Sequence, residues 1–263
     1  IEGARRIGKS TIVEEFAKNE YSSYILVDFS KTATEINDLF NDLSDLNYIF
    51  LRLQLNYNVS LKERKSLIIF DEVQNNPKAR QAIKHLVKGH RYDYIETGSL
   101  ISIRKNVQNI IIPSEETRIS MHPMDFEEFR WAMGDNVAFT LLKTVLEQKQ
   151  PLGEAIHRKL MRDFRLYMLV GGMPQAVDKY IKTNNLSAVD TVKRDIITLY
   201  EEDLRKIDTS GKATAMFDAI PSQLSKNASR YTISTVIPGE KQDRISDIVQ
   251  LMEESRVANI AYH

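Results

Sequence analysis

Gly3, Gly8, Lys9 and Ser10 stand in the spacing G-x-x-x-x-G-K-[ST], which has a direct mechanical reading. The glycines let the backbone turn tightly, so that successive N–H groups and the N-terminus of the following helix converge on phosphate oxygens. Lys9 would reach the β- and γ-phosphates as a point charge, and the Ser10 hydroxyl would ligate Mg²⁺. A second group is Leu67-Ile68-Ile69-Phe70-Asp71-Glu72. An apolar strand ending in Asp71 sets a carboxylate at the C-terminal edge of a sheet, where Mg²⁺ needs a ligand. Glu72 is then placed to orient and deprotonate an attacking water. A third is Thr97-Gly98-Ser99, where a hydroxyl, Ser99 ahead of Thr97, would sense the γ-phosphate or hold the water; the plain alternative is a turn.

These residues need a scaffold that brings strand ends to one edge. A helix is expected from Ser10 to Asn19 with Ile12, Val13 and Phe16 inward, a strand over Tyr24–Phe29, and a helix from Thr34 to Leu46. Tyr48–Tyr57 fits helix and strand equally. Leu67–Phe70 reads as a central parallel strand covered on both faces. A helix opened by Pro77 with Ala79, Ile83, Leu86 and Val87 inward, a strand at Tyr92–Glu96 and a last strand at Thr117–Met121 complete an α/β fold with a parallel sheet. Only Ile1 and Glu2 precede the loop; they are expected to end a strand otherwise missing, with the sheet incomplete beneath Gly3 and the chain cut at both ends.

Beyond Met124 the pattern is helical. Phe126, Phe129 and Met133 mark a short helix that Trp131 would help pack onto the sheet. Ile156, Leu160, Phe164 and Tyr167 mark a longer one, broken at Gly171-Gly172-Met173-Pro174, and Val189 to Ile207 trace a third. Met161, Met168 and Met173 are read as core. Asp208-Thr209-Ser210-Gly211 looks like a linker, and the helical stretches Thr214–Asn227 and Arg244–Ser255 around Tyr231–Thr235 suggest a helix-turn-helix or winged helix. The expected organisation is residues 1–133 as the α/β domain, 134–207 as an all-α lid, and 208–263 as a C-terminal winged-helix-like module.

Composition narrows the functions. Thirty-six Lys and Arg balance thirty-six Asp and Glu, which removes a global electrostatic argument for nucleic acid or an anionic membrane. Residues 211–263 are neutral as well, Lys212, Lys226, Arg230, Lys241, Arg244 and Arg256 against Asp218, Glu240, Asp243, Asp247, Glu253 and Glu254. A protein-contacting role is therefore expected there ahead of DNA recognition. No Cys is present, so disulfides and thiol chemistry are excluded. No apolar run approaches the roughly 20 residues of a membrane span, and a cytoplasmic protein is expected. The histidines at 85, 90, 122, 157 and 263 show no metal-ligand spacing.

Taken together the motifs resemble those of AAA+ P-loop ATPases, in particular prokaryotic members akin to archaeal ATPases and STAND-class NTPases. Gly3-Ala4-Arg5-Arg6-Ile7-Gly8-Lys9-Ser10-Thr11 is similar to their Walker A, Phe70-Asp71-Glu72-Val73-Gln74 to their Walker B, and Thr97-Gly98-Ser99 to their sensor-1 strand end. His122 to Phe129 resembles their post-sheet segment, and Gly171 to Pro174 the signature of their helical lid. The resemblance implies ATP or ADP with Mg²⁺ as ligands and Gly172 and Pro174 near the adenine. It implies ATP hydrolysis coupled to movement of the lid and C-terminal module, or a nucleotide-gated switch with little turnover, linked to nucleic acid through a further C-terminal domain. Arg104, Arg118 and Arg130 are candidates for an arginine offered to a neighbour, more in keeping with surface charges, and no oligomer is assigned. A kinase is disfavoured by Glu72, and a GTPase by the lack of Asn-Lys-x-Asp.

Overall fold

Leu67-Ile68-Ile69-Phe70 offers no polar side chain to water, so a strand built from it must be covered on both faces. The computed structural model, which describes residues 1–99, 116–225 and 230–260, meets that demand. Strand β1 is Glu2–Gly3, β2 is Ser23–Asp28, β3 is Ser66–Asp71, β4 is Asp93–Glu96 and β5 is Gly98–Ser99. β3 is buried at every position and lies between β2 and β4, parallel to both, with Val27, Phe70 and Glu96 in register. Period-two alternation then divides its side chains. Leu67 and Ile69 pack with Val13 and Ala17 of helix α1 (Lys9–Glu20). Ile68 and Phe70 pack with Ile36, Phe40, Phe50 and Ile83, on and around α2 (Thr34–Asp38), α3 (Leu46–Tyr57) and α4 (Pro77–Lys88). The expected three layers are therefore present.

β5 pairs in parallel with β1, matching Glu2 to Gly98 and Gly3 to Ser99. Glu2 also bridges Ser120, donating to the Ile119 carbonyl at 2.9 Å and accepting from the Met121 N–H at 2.8 Å. The strand expected over Thr117–Met121 is thus a single bridge, because β1 offers two residues of backbone to pair with.

The helices correct other readings. In α1 the inward stripe is Lys9, Val13 and Ala17, four apart, while Ile12 and Phe16 are 53% and 46% exposed. The helix expected from Thr34 to Leu46 ends at Asp38 and continues only as a 3₁₀ turn, Leu39–Asn41. The ambiguous Tyr48–Tyr57 stretch is helical: Asp45 caps it by accepting from the Asn47 and Tyr48 N–H groups, and Asn58 ends it in the left-handed region. α4 turns the expected Ala79, Ile83 and Leu86 inward, with Ala82 and a buried Arg80.

The chain divides into two compact units, Ile1–Met121 with Glu201–His263, and His122–Tyr200. The second unit is helical: Phe126–Ala132, Ala138–Glu147, Glu154–Val170, Pro174–Thr183 and the first part of Leu186–Ile207. Its core is Phe129, Val170, Ala176, Val177 and Val189. Phe126 stacks edge-on against Phe139 and Phe164, so the short helix packs on helices of its own unit, and Trp131 is 48% exposed rather than buried against a sheet. Met161 and Met168 are exposed as well; of the three methionines only Met173 joins the core. Arg130 is no surface charge. Its guanidinium is buried and donates to Asp135 and Asp163.

Residues 201–260 form helices Lys212–Asp218, Ile220–Leu224 and Gln242–Glu254 and a 3₁₀ turn at Ile233–Thr235, around Leu204, Ala213, Met216, Ile248 and Met252. The winged-helix reading is met only in its helices: among the described residues here there is no strand to form a wing. Nor is Asp208 part of a loose linker. It is buried and accepts from the Ala213 N–H at 2.8 Å, the Ser210 hydroxyl at 2.6 Å and Arg244 at 2.9 Å. Burial pushes its pKa up, but these donors more than offset it and hold the carboxyl below its ordinary range. Among the described residues no helix is long and apolar enough to cross a membrane.

Candidate functional site

The loop from β1 to α1 is shaped by its two glycines. A Cβ on Gly3 would lie 2.4 Å from the Met121 carbonyl oxygen and 2.5 Å from Ile7 Cδ1, so only glycine fits. Gly8 takes φ 90°, a left-handed conformation, as it enters α1, and no side chain caps that helix. Arg6 is also left-handed, at φ 67°. Ile7 is buried beneath the loop while Arg6 and Thr11 face solvent.

Lys9 is 5% exposed, and its ammonium donates to the carbonyls of Ala4 at 2.8 Å and Gly3 at 3.2 Å. The loop thus folds around its own lysine. Burial lowers the Lys9 pKa, opposed by the negative charges of Glu72 and Asp71. The next residue, Ser10, donates its hydroxyl to Asp71 Oδ1 at 2.7 Å. Asp71 ends β3 and is itself buried. The two residues expected to share a metal are therefore in contact, although 61 positions apart.

Glu72 begins the turn after β3 in the left-handed region, φ 53°, and its carboxylate accepts from the Gln74 amide. Thr97 knits the strand ends. Its N–H donates to the Phe70 carbonyl at 2.9 Å, its carbonyl accepts from Val73 at 3.1 Å, and its hydroxyl donates to Asp71 Oδ1. That same hydroxyl accepts from the Glu72 N–H at 3.4 Å. Thr97 is thus a hydroxyl seated on the acidic pair. Ser99, ranked first from the sequence, pairs by its backbone with Gly3, and its side chain lies outside the described residues.

Residues 1–130 match the family model described as an AAA domain. The match supports an AAA-type P-loop ATPase family for the N-terminal part of the chain, and it spans the loop, the Asp71 strand and Thr97. Residues 161–263 match a domain of unknown function (DUF8612). No curated protein matches the chain.

An AAA-type site must accept a polyanion, and the residues here fit one. The buried Lys9 ammonium is held by two neutral carbonyls, and the N-terminus of α1 has no side-chain cap. Among the described residues no three His, Asp or Glu side chains gather to bind a metal alone. An ion held by Ser10 and Asp71 would draw its other ligands from phosphate and water.

Gly172 and Pro174 belong to the second unit, where a Cβ on Gly172 would meet the Met124 carbonyl oxygen at 2.1 Å and Pro174 opens a helix. Arg118 is solvent-facing, 3.9 Å from Glu116, and Arg104 lies outside the described residues. His85, His90, His122 and His157 are exposed. The sequence reading missed Gln74 on Glu72 and Asp203 on Arg5. The first was detectable as an amide two residues from a carboxylate; the second had no local signal.

Proposed function

We propose that this protein binds ATP or ADP with Mg²⁺ and hydrolyses ATP. The observation that carries the reading is the contact of Ser10 with Asp71 at the end of β3, together with a Lys9 next in sequence that is buried against neutral carbonyls. Gly3 to Thr11 would cradle the phosphates, Ser10 and Asp71 would hold the ion, and the ion would supply charge neutralisation on the phosphate oxygens. Glu72 would take the proton of the attacking water. A hydroxyl from Thr97 or Ser99 would orient that water.

Labelled ATP titrated into the protein tests this. Lys9→Ala is expected to weaken binding roughly 10- to 100-fold, the worth of one or two charge-assisted hydrogen bonds. Equal binding by the two proteins would overturn the assignment.

A second reading is a nucleotide-gated interaction switch of the STAND type, with little turnover. It is favoured by the Gln74 amide, which occupies an oxygen of the Glu72 carboxylate. Multiple-turnover measurements on the Gln74→Ala variant separate the two, since a rise in rate supports the switch. Under either reading the neutral charge balance of residues 211–263 supports a protein partner for that region.

A further inference from the structure

Arg5 lies in the middle of the phosphate loop, and its guanidinium is paired with Asp203 near the C-terminal end of the helix Leu186–Ile207, 198 residues away. Both residues belong to the first compact unit. This ion pair ties the loop that would receive a nucleotide to the helix that leads into the C-terminal module. Three features of its geometry suit it to being exchanged.

First, the partners are unequally placed. Asp203 has a side-chain exposure of 6%, whereas Arg5 has 37%. The carboxylate is the buried member of the pair, and the guanidinium is the one that solvent, and hence an anion, can reach. Second, both contacts, at 3.1 and 3.2 Å, come from the single nitrogen Nη1. That is not the two-nitrogen fork by which arginine grips a carboxylate or phosphate most strongly. Third, Lys206 also donates to Asp203, at 3.2 Å and three residues along the same helix. A buried carboxylate stripped of its cation is costly; here it would keep one. Lys206 would go on answering the Asp203 charge from within the same helix.

Resting on the ATP reading above, we infer that Asp203 is a positioning residue for Arg5, and that the nucleotide's phosphates and Asp203 compete for the Arg5 guanidinium. Arg5 on Asp203 docks the helix end 201–207 against the loop; Arg5 on phosphate releases it. Because coupling between two sites is reciprocal, weakening the dock must strengthen nucleotide binding. A strut that merely shapes the loop makes the opposite demand, since its loss should weaken binding.

The test uses labelled ATP with Mg²⁺ and the full chain. Asp203→Asn, nearly the same shape without the charge, is expected to bind about fivefold or more tightly than the parent, the lower bound of typical allosteric couplings. In an Arg5→Gln background the same change should alter affinity by less than about twofold, since the competing group is gone. Addition of ATP should also speed amide hydrogen exchange in residues 201–207 of the parent and leave it unchanged in Arg5→Gln. That arm stands even where Asp203→Asn fails to fold. Weaker or unchanged binding by a folded Asp203→Asn, or an exchange response that persists in Arg5→Gln, would overturn the latch while leaving the ATP assignment intact. A parent protein that does not bind ATP would overturn both.

Discussion

Lys9 in the first unit and Arg130 in the second are both cations taken almost wholly out of water, at 5% and 4% exposure, and the molecule answers them differently. Arg130 is met by two carboxylates, Asp135 and Asp163, with the Phe126 ring 6.0 Å from its guanidinium carbon. Its charge is spent within the fold. Lys9 is met by two neutral carbonyls, while the nearby Asp71 is engaged by Ser10 and Thr97 and Glu72 by Gln74. The comparison separates two ways of burying a cation: one met by carboxylates is neutralised, whereas one held by dipoles retains attraction for an anion.

Paired substitutions can break that distinction. Arg130→Met strands two carboxylates and should lower the unfolding free energy by about 3–5 kcal/mol in chemical denaturation. Lys9→Met removes a cation whose burial is only partly compensated and should change stability far less while weakening nucleotide binding as Lys9→Ala does. Similar losses in the two variants would end the contrast.

Glu96 offers an intermediate case, a partly buried carboxylate that shares Arg80 with Glu116. Burial outweighs the attraction of Arg80, which acts to lower the pKa, and pushes it up to about 7. An acid with a raised folded-state pKa binds its proton more tightly when folded, so stability falls as pH rises from about 4.5 to about 7. Glu96→Gln should flatten that slope and exceed the parent above about pH 7 by up to roughly 3 kcal/mol. Parallel pH profiles for the two proteins would show that Glu96 is already ionised without cost.

The smallest effect is expected at Lys9 itself. With its pKa lowered from 10.5 by burial, the unfolded chain holds that proton more tightly, so the parent should gain stability relative to Lys9→Met as pH rises toward 10.5. Saturating nucleotide should diminish that gain, because phosphate restores the preference for the charged amine. A difference independent of pH would place Lys9 in a far wetter setting than the fold gives it.

Much of the fold was legible locally. Leu67–Phe70 could only be a covered strand, Pro77 opened its helix, and Ser10 meets Asp71 at the strand end. What failed was the phase and depth of helical faces. Ile12 and Phe16 look apolar enough to be buried, but the sheet beneath α1 selects Val13 and Ala17. Trp131, Met161 and Met168 likewise stay exposed, since apolar character permits burial and only a facing surface enforces it.

The sequence by itself determined the glycine-bearing loop before α1, the acidic strand end and the order of elements, because each depends on residues within one turn or one strand of each other. Tertiary structure alone decided that Thr97 sits on Asp71, that Arg130 is buried among carboxylates, and that Asp203 grips Arg5. Those pairings join residues from 26 to 198 positions apart, except for Arg130 with Asp135. No local propensity or periodicity encodes such distant partners; they follow from which strand ends and helix ends the packed core brings together.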